Sequence, residues 1–162
     1  MTPKKVGDTS PKRGWLTPKQ QRAWAAYMRV QLRMNYEMNR QLQADSGLSL
    51  SDYDVLVALS GVDDEGLRVG DLAAQIGWER SRLSHQLRRM EERGLTARRP
   101  GTQDGRTTNV VLTARGRQAI VDAAPGHVDL VRSLFFDPLP ENLLPSFTAA
   151  LEHLQVNLDH NS

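Results

Sequence analysis

The sequence predicts a mainly helical chain with one small β element, and three observations carry that expectation. Apolar residues recur at helical spacing along most of the 162 residues. Between 95 and 112 the pattern changes to short alternating, β-branched runs around a Pro-Gly and an Asp-Gly. Arginine is concentrated where helix gives way to β: residues 78–117 hold ten Arg against four acids, whereas 118–162 hold one Arg against six, within a net charge of only +2.

The first 16 residues are rich in Pro, Lys, Gly and Ser and are expected to form a flexible basic arm. Thr17-Pro18-Lys19-Gln20 has the form of a capping box, with Thr17 as N-cap, Pro18 at the first helical position and Gln20 reaching back. A long helix is expected to about Ala44, with Trp24, Tyr27, Met28, Leu32, Met34, Met38 and Leu42 at helical spacing and Gly47 just past its end. That stripe is wide and aromatic for a surface helix, which predicts packing on a second chain.

Ser49-Leu50-Ser51-Asp52 announces the second helix, with Ser49 as cap and Tyr53, Leu56, Val57, Leu59 and Val62 as its buried face. A turn at 63–66 and an extended piece, Leu67-Arg68-Val69, lead into a short helix, Asp71 to Ile76, that stops at Gly77. From Trp78 to Arg93 a further helix places Leu83, Leu87 and Met90 at i, i+4 and i+7, facing the core, and Gly94 ends it. Leu95 to Arg99 and Thr107 to Leu112 then read as a two-stranded, arginine-bearing hairpin, too small to stand without the helices beside it. Thr113-Ala114-Arg115-Gly116 opens another helix, expected to be interrupted near Pro125-Gly126. Asp137 to Glu141 breaks the chain, and a last helix carries Leu143, Phe147, Ala150, Leu151, Leu154 and Leu158 in one stripe, kinked by Pro145.

Short helix, glycine turn, arginine-rich helix and basic hairpin, in that order, describe a winged helix-turn-helix. Ser81, Ser84, His85 and Arg88 share one side of the longer helix, with Arg82, Gln86 and Arg89 beside them and Arg80 at its start. Such a face fits the major groove of double-stranded DNA, where arginine forks and Ser, His or Gln side chains read base edges. Arginine in place of lysine suits phosphate and guanine, because its planar fork bonds bidentately. Arg98, Arg99 and Thr107 belong to the hairpin, and Arg106 near its tip is the candidate for a narrow minor groove.

Other chemistries find less support. The chain has no cysteine, so disulfides, thiolate metal sites, a cysteine nucleophile and a thiol switch are excluded. His127, His153 and His160 are scattered, which argues against a metal, and Ser81 and Ser84 have no His/Asp arrangement around them. Neither an enzyme nor a cofactor is expected. The basic start runs into Val6-Gly7-Asp8-Thr9-Ser10 rather than an apolar core, and no apolar run is long enough to span a bilayer, so a cytoplasmic protein without membrane contact is the expectation.

The stretch from Asp104 to Gly116, Asp-Gly-Arg-Thr-Thr-Asn-Val-Val-Leu-Thr-Ala-Arg-Gly, resembles the wing signature of the MarR family: Asp-x-Arg, an apolar strand, then Leu-Thr-x-x-Gly. Asp71-Leu72-Ala73 and the exit of the longer helix, Met90-Glu91-Glu92-Arg93-Gly94-Leu95, resemble the same family, and the likeness extends over about residues 18–158. It departs from the pattern at Val69-Gly70 and at Trp78-Glu79-Arg80, where small capping residues are common.

The resemblance implies a transcriptional regulator, more often repressor than activator, that binds a pseudo-palindromic operator as a homodimer through its first and last helices. It divides the chain into an arm (1–16), an N-terminal dimerisation helix (17–48), the winged helix-turn-helix (49–116) and C-terminal dimerisation helices (117–162). It makes Asp104 the carboxylate that orients a wing arginine. It also implies a pocket for a small phenolic or lipophilic effector, for which Trp24, Tyr27, Met28 and Tyr53 are the candidates. The rival reading is a winged-helix module whose arginine face meets an acidic protein rather than DNA.

Overall fold

The structure is a computed structural model that describes residues 14–101 and 107–160. The chain divides into two compact units, Met1–Tyr36 and Glu37–Ser162. Residues 1–13 of the expected 1–16 arm, and the wing candidates Asp104 and Arg106, lie outside the described residues.

Helix α1 (Pro18–Ser46) begins as its sequence requires. The Thr17 amide donates to Gln20 Oε1 at 2.9 Å, and the Gln20 amide donates to Thr17 Oγ1 at 3.3 Å. Trp24 and Tyr27 are exposed, with ring centroids 5.5 Å apart, and Met28 is half-buried.

In the second unit a single core gathers α2 (Leu50–Ser60), α3 (Val69–Ile76), α4 (Arg80–Glu92) and α5 (Ala114–Val131). Leu42, Val55, Leu56, Leu72, Leu83, Leu87, Met90 and Val110 are fully buried within it. Leu83, Leu87 and Met90 face inward as their spacing predicts. On α2 the buried face is Asp52, Val55, Leu56, Ala58 and Leu59, and Val57 points to solvent. The expected face was displaced because its first member, at the i position of an i, i+3, i+4, i+7 stripe, is an aspartate.

The β element is a three-stranded antiparallel sheet rather than a two-stranded hairpin. Strand β1 (Leu67–Arg68) pairs with β3 (Thr108–Leu112), which pairs in turn with β2 (Thr96–Pro100), in the order β1-β3-β2. The glycine at 94, at φ +71°, lets the chain leave α4 with the Leu95 amide bonded back to Met90 O at 2.9 Å. Thr113 closes the wing: its hydroxyl donates to Gly94 O at 2.6 Å and caps α5 by accepting from the Gly116 amide at 3.0 Å.

Helix α5 runs unbroken through Pro125. Gly126 serves close packing instead of a break, since a Cβ there would lie 2.9 Å from Asp45 Oδ2 and 3.0 Å from Gln41 Nε2. A five-residue π-turn (Arg132–Phe136) ends α5, and Phe135 stacks edge-on with Phe136 and against Phe147. Helix α6 (Leu144–His160) starts just before Pro145, which therefore sits in the first turn where it costs no hydrogen bond. None of its residues is buried, and Leu154 is 59% exposed. Among the described residues no helix is long and apolar enough to cross a membrane.

Candidate nucleic-acid interface

Helix α4 is anchored by its apolar stripe and turns its remaining side chains outward. Arg80, Ser81, Arg82, Ser84, His85, Arg88 and Arg89 are all exposed. Gln86, expected on this face, is instead 4% exposed; with Leu83, Leu87 and Met90 it completes an i, i+3, i+4, i+7 set.

Several of these cations are held in place. The Arg82 guanidinium carbon lies 3.9 Å from the centre of the Trp78 ring, a cation–π contact that holds this side chain at the first turn of the helix. Burial raises the Asp54 carboxyl above its ordinary range, and the Arg82 guanidinium partly offsets that rise. Arg88 Nη2 and His85 Nδ1 are 2.9 Å apart. Guanidinium can only donate, so Nδ1 accepts and the His85 proton sits on Nε2, the nitrogen left to donate outward. Arg80 lies against Gly70 at the start of α3.

Strand alternation sorts the wing residues. Arg98 stands opposite Val110, as does Leu67, on the core side of the sheet, and its Nε donates to Glu91 of α4 at 2.8 Å. That pair pins the wing to the end of α4. Arg99 stands opposite Asn109 on the other face, and so does Arg68 from β1, which puts two arginines on either side of Asn109. Arg68 was not singled out in the sequence, because a two-residue strand gives no periodic signal. Thr107 is half-buried just before β3.

The proposed pocket residues fall in different units. Trp24, Tyr27 and Met28 belong to the first, whereas Tyr53, on α2 in the second, has its ring 4.6 Å from that of His127 on α5. His127 also lines an open groove of about 440 Å³ with Val128, Val131, Arg132 and Phe136, and its Nδ1 is buried without a hydrogen-bond partner. Burial lowers the His127 pKa and raises that of the Tyr53 hydroxyl. The folded chain therefore binds fewer protons at His127 than the unfolded chain just below the ordinary histidine value. This contribution to stability is complete above that value and is lost as pH falls towards the lowered one. His127→Phe is expected to flatten the acid side of a plot of melting temperature against pH. An unchanged slope would count against the buried, neutral imidazole.

Among the described residues, no group of three or more His, Asp or Glu is placed to hold a metal ion.

Residues 46–107 match the MarR family model. The chain is 35% identical to AbsC, a MarR family transcriptional regulator from Streptomyces coelicolor, over 89% of this chain and 97% of that one, with a TM-score of 0.81. It is 32% identical to Sco3205, a MarR family transcriptional regulator from the same organism solved in complex with DNA, over 92% of this chain and 93% of that one, with a TM-score of 0.83. A third structure, CouR from Rhodococcus jostii RHA1 bound to p-coumaroyl-CoA, shares 23% identity over 82% of this chain and 90% of that one, with a TM-score of 0.72, and is similar in fold. Among curated proteins no match is found.

Proposed function

This chain belongs to the MarR family of transcriptional regulators, and from that membership we propose that it binds a pseudo-palindromic DNA operator as a homodimer. The observation that carries the reading is the outward face of α4, where Arg82, Ser84, His85, Arg88 and Arg89 stand exposed over a fully buried Leu83, Leu87 and Met90. A rigid helix with a polar, cationic face is what the major groove admits and reads. Arg68 and Arg99 on the outer face of the wing would grip the adjacent backbone, Arg106 would enter the minor groove, and Asp104 would serve to orient a wing arginine.

A second copy of the chain supports the reading from another side. Helix α6 buries no residue and leaves Leu151, Leu154 and Leu158 of its apolar stripe exposed. Two copies joined through their terminal helices would cover that stripe and set two recognition helices about 10 bp apart on one face of the duplex. Arginine contacts to phosphate would make binding steeply salt-dependent.

An effector acts on such a dimer only if it favours one spacing of the two recognition helices over another. The groove lined by His127, Val128, Val131, Arg132 and Phe136 would accept a small phenolic or lipophilic molecule, since its wall is mostly apolar. Nothing in this scheme asks for bond-making by the protein, which we read as a cytoplasmic binder and repressor rather than an enzyme. The reading is preferred to an acidic-protein partner because Sco3205, a family member 32% identical to this chain, is solved in complex with DNA.

Arg106→Ala tests the wing. Affinity for a selected duplex at fixed salt is expected to fall by about 1–3 kcal/mol, with dimer and melting temperature unchanged. Unaltered affinity would remove Arg106 from the interface.

A further inference from the structure

Two buried polar side chains outside the exposed face of α4 connect it to α2. Asp52, 3% exposed, is far more than the capping-box acid of α2. One carboxylate oxygen accepts from the Ser49 amide at 2.8 Å and from Arg93 Nη1 at 2.7 Å, while the other accepts from Gln86 Nε2 at 2.6 Å. The Arg93 guanidinium, at the end of α4, also donates to Gly47 O at 2.8 Å. On the far side of the Gln86 amide, Oε1 accepts from Arg89 Nη2.

The chemistry of this chain of contacts leaves one arrangement. An ionised carboxylate only accepts, so the Gln86 amide must turn its NH₂ towards Asp52. Its oxygen is thereby forced towards Arg89, where a guanidinium that can only donate requires an acceptor. Arg89 is exposed yet tethered inward by one of its donors, and its others remain available.

We propose that Gln86 is a positioning residue for DNA binding: held by Asp52, it fixes the guanidinium of Arg89 in the orientation that meets the duplex. The proposal rests on the DNA-binding reading above. It assigns Gln86 no contact with DNA, and it links the N-terminus of α2 to the aim of a recognition-helix arginine.

A double-mutant cycle tests it, with affinity measured on a fluorescent duplex bearing the sequence that the wild-type dimer recovers from a random pool, and on a scrambled duplex of the same composition. Gln86→Met removes both hydrogen bonds at nearly constant volume. It is expected to lower affinity for the selected duplex roughly tenfold, about as far as Arg89→Ala does, and the double variant is expected to fall no further. Circular dichroism melting and sedimentation establish that each variant is a folded dimer. Asp52→Asn provides a second route: its amide can present either edge to Gln86, so Arg89 loses its fixed partner, and a loss is expected that also vanishes in the Arg89→Ala background. Independent losses that add in the double variants, or no loss from either substitution, would overturn the proposal. A merely structural Gln86 would weaken binding whether or not Arg89 is present. If the wild-type dimer recovers no sequence at all, the DNA-binding reading itself fails, and the proposal with it.

Discussion

Gly116→Ala is expected to destabilise the fold by about 3 kcal/mol or more, an effect large for a single methyl group. Thr113 and Gly116 form the first turn of α5, and the turn is docked on the residue that follows α4. The Thr113 amide donates to Leu95 O at 3.2 Å, and the Thr113 hydroxyl donates to Gly94 O while capping the Gly116 amide. A Cβ on Gly116 would stand 2.1 Å from Leu95 O and 3.1 Å from its carbonyl carbon. Those are backbone atoms fixed by the sheet on one side and the end of α4 on the other, so no side-chain rotation relieves the overlap. Either α5 lifts away or the exit of α4 shifts. The Leu-Thr-x-x-Gly pattern thus acquires a physical meaning: Thr supplies the cap, and Gly lets the capped turn touch the strand. Denaturant unfolding at fixed protein concentration checks the prediction, concentration being held because a dimer's stability depends on it. A variant within about 0.5 kcal/mol of wild type would mean that this close approach is not present in solution.

Arg82→Ala is expected to cost about 1–3 kcal/mol of specific binding, on the order of ten- to a hundredfold, concentrated at one base pair. Recognition helices of this class present their N-terminal residues to base edges, and Arg82 is in the first turn of α4. The Trp78 ring, 3.9 Å from the guanidinium carbon, holds the side chain by a cation–π contact that uses none of its N–H donors, which leaves the fork free to meet the two acceptors of a guanine. The unusual tryptophan before this helix is thereby given a purpose, and Trp78→Leu is expected to reproduce part of the loss. Measured against a set of duplexes with single substitutions, a base-reading Arg82 relaxes preference at one position. Uniform weakening across all sequences, with the salt slope reduced by about 1, would make it a phosphate contact instead.

Much of this was legible in the sequence because the relevant signals are local. The boxes at Thr17 and Ser49 and the cap at Thr113 formed as their residue types require. The core stripe Leu83, Leu87 and Met90 followed from its spacing. What escaped depends on contacts between distant segments. A two-residue strand, β1, exists only because β3 offers it a free edge, and with it Arg68 came to lie beside Asn109. The burial of Asp52 gave no local signal, because its partners Gln86 and Arg93 lie 34 and 41 residues away. Burying that carboxylate shifted the apparent apolar face of α2 and sent Val57 outward. The inward turn of Gln86 was present in the spacing, three residues after Leu83 and four before Met90, but polarity concealed it. Likewise, the separate tasks of Arg98 and Arg99 follow from strand alternation once the register is fixed.

Operator binding by the dimer is tested by selection of bound sequences from a random duplex pool by the purified protein at about physiological salt. Recovery of a pseudo-palindrome with half-sites about 10 bp apart is expected, matching two recognition helices on one face of the duplex. Binding by the folded dimer with no enriched sequence, or retention of full affinity at high salt, would contradict it.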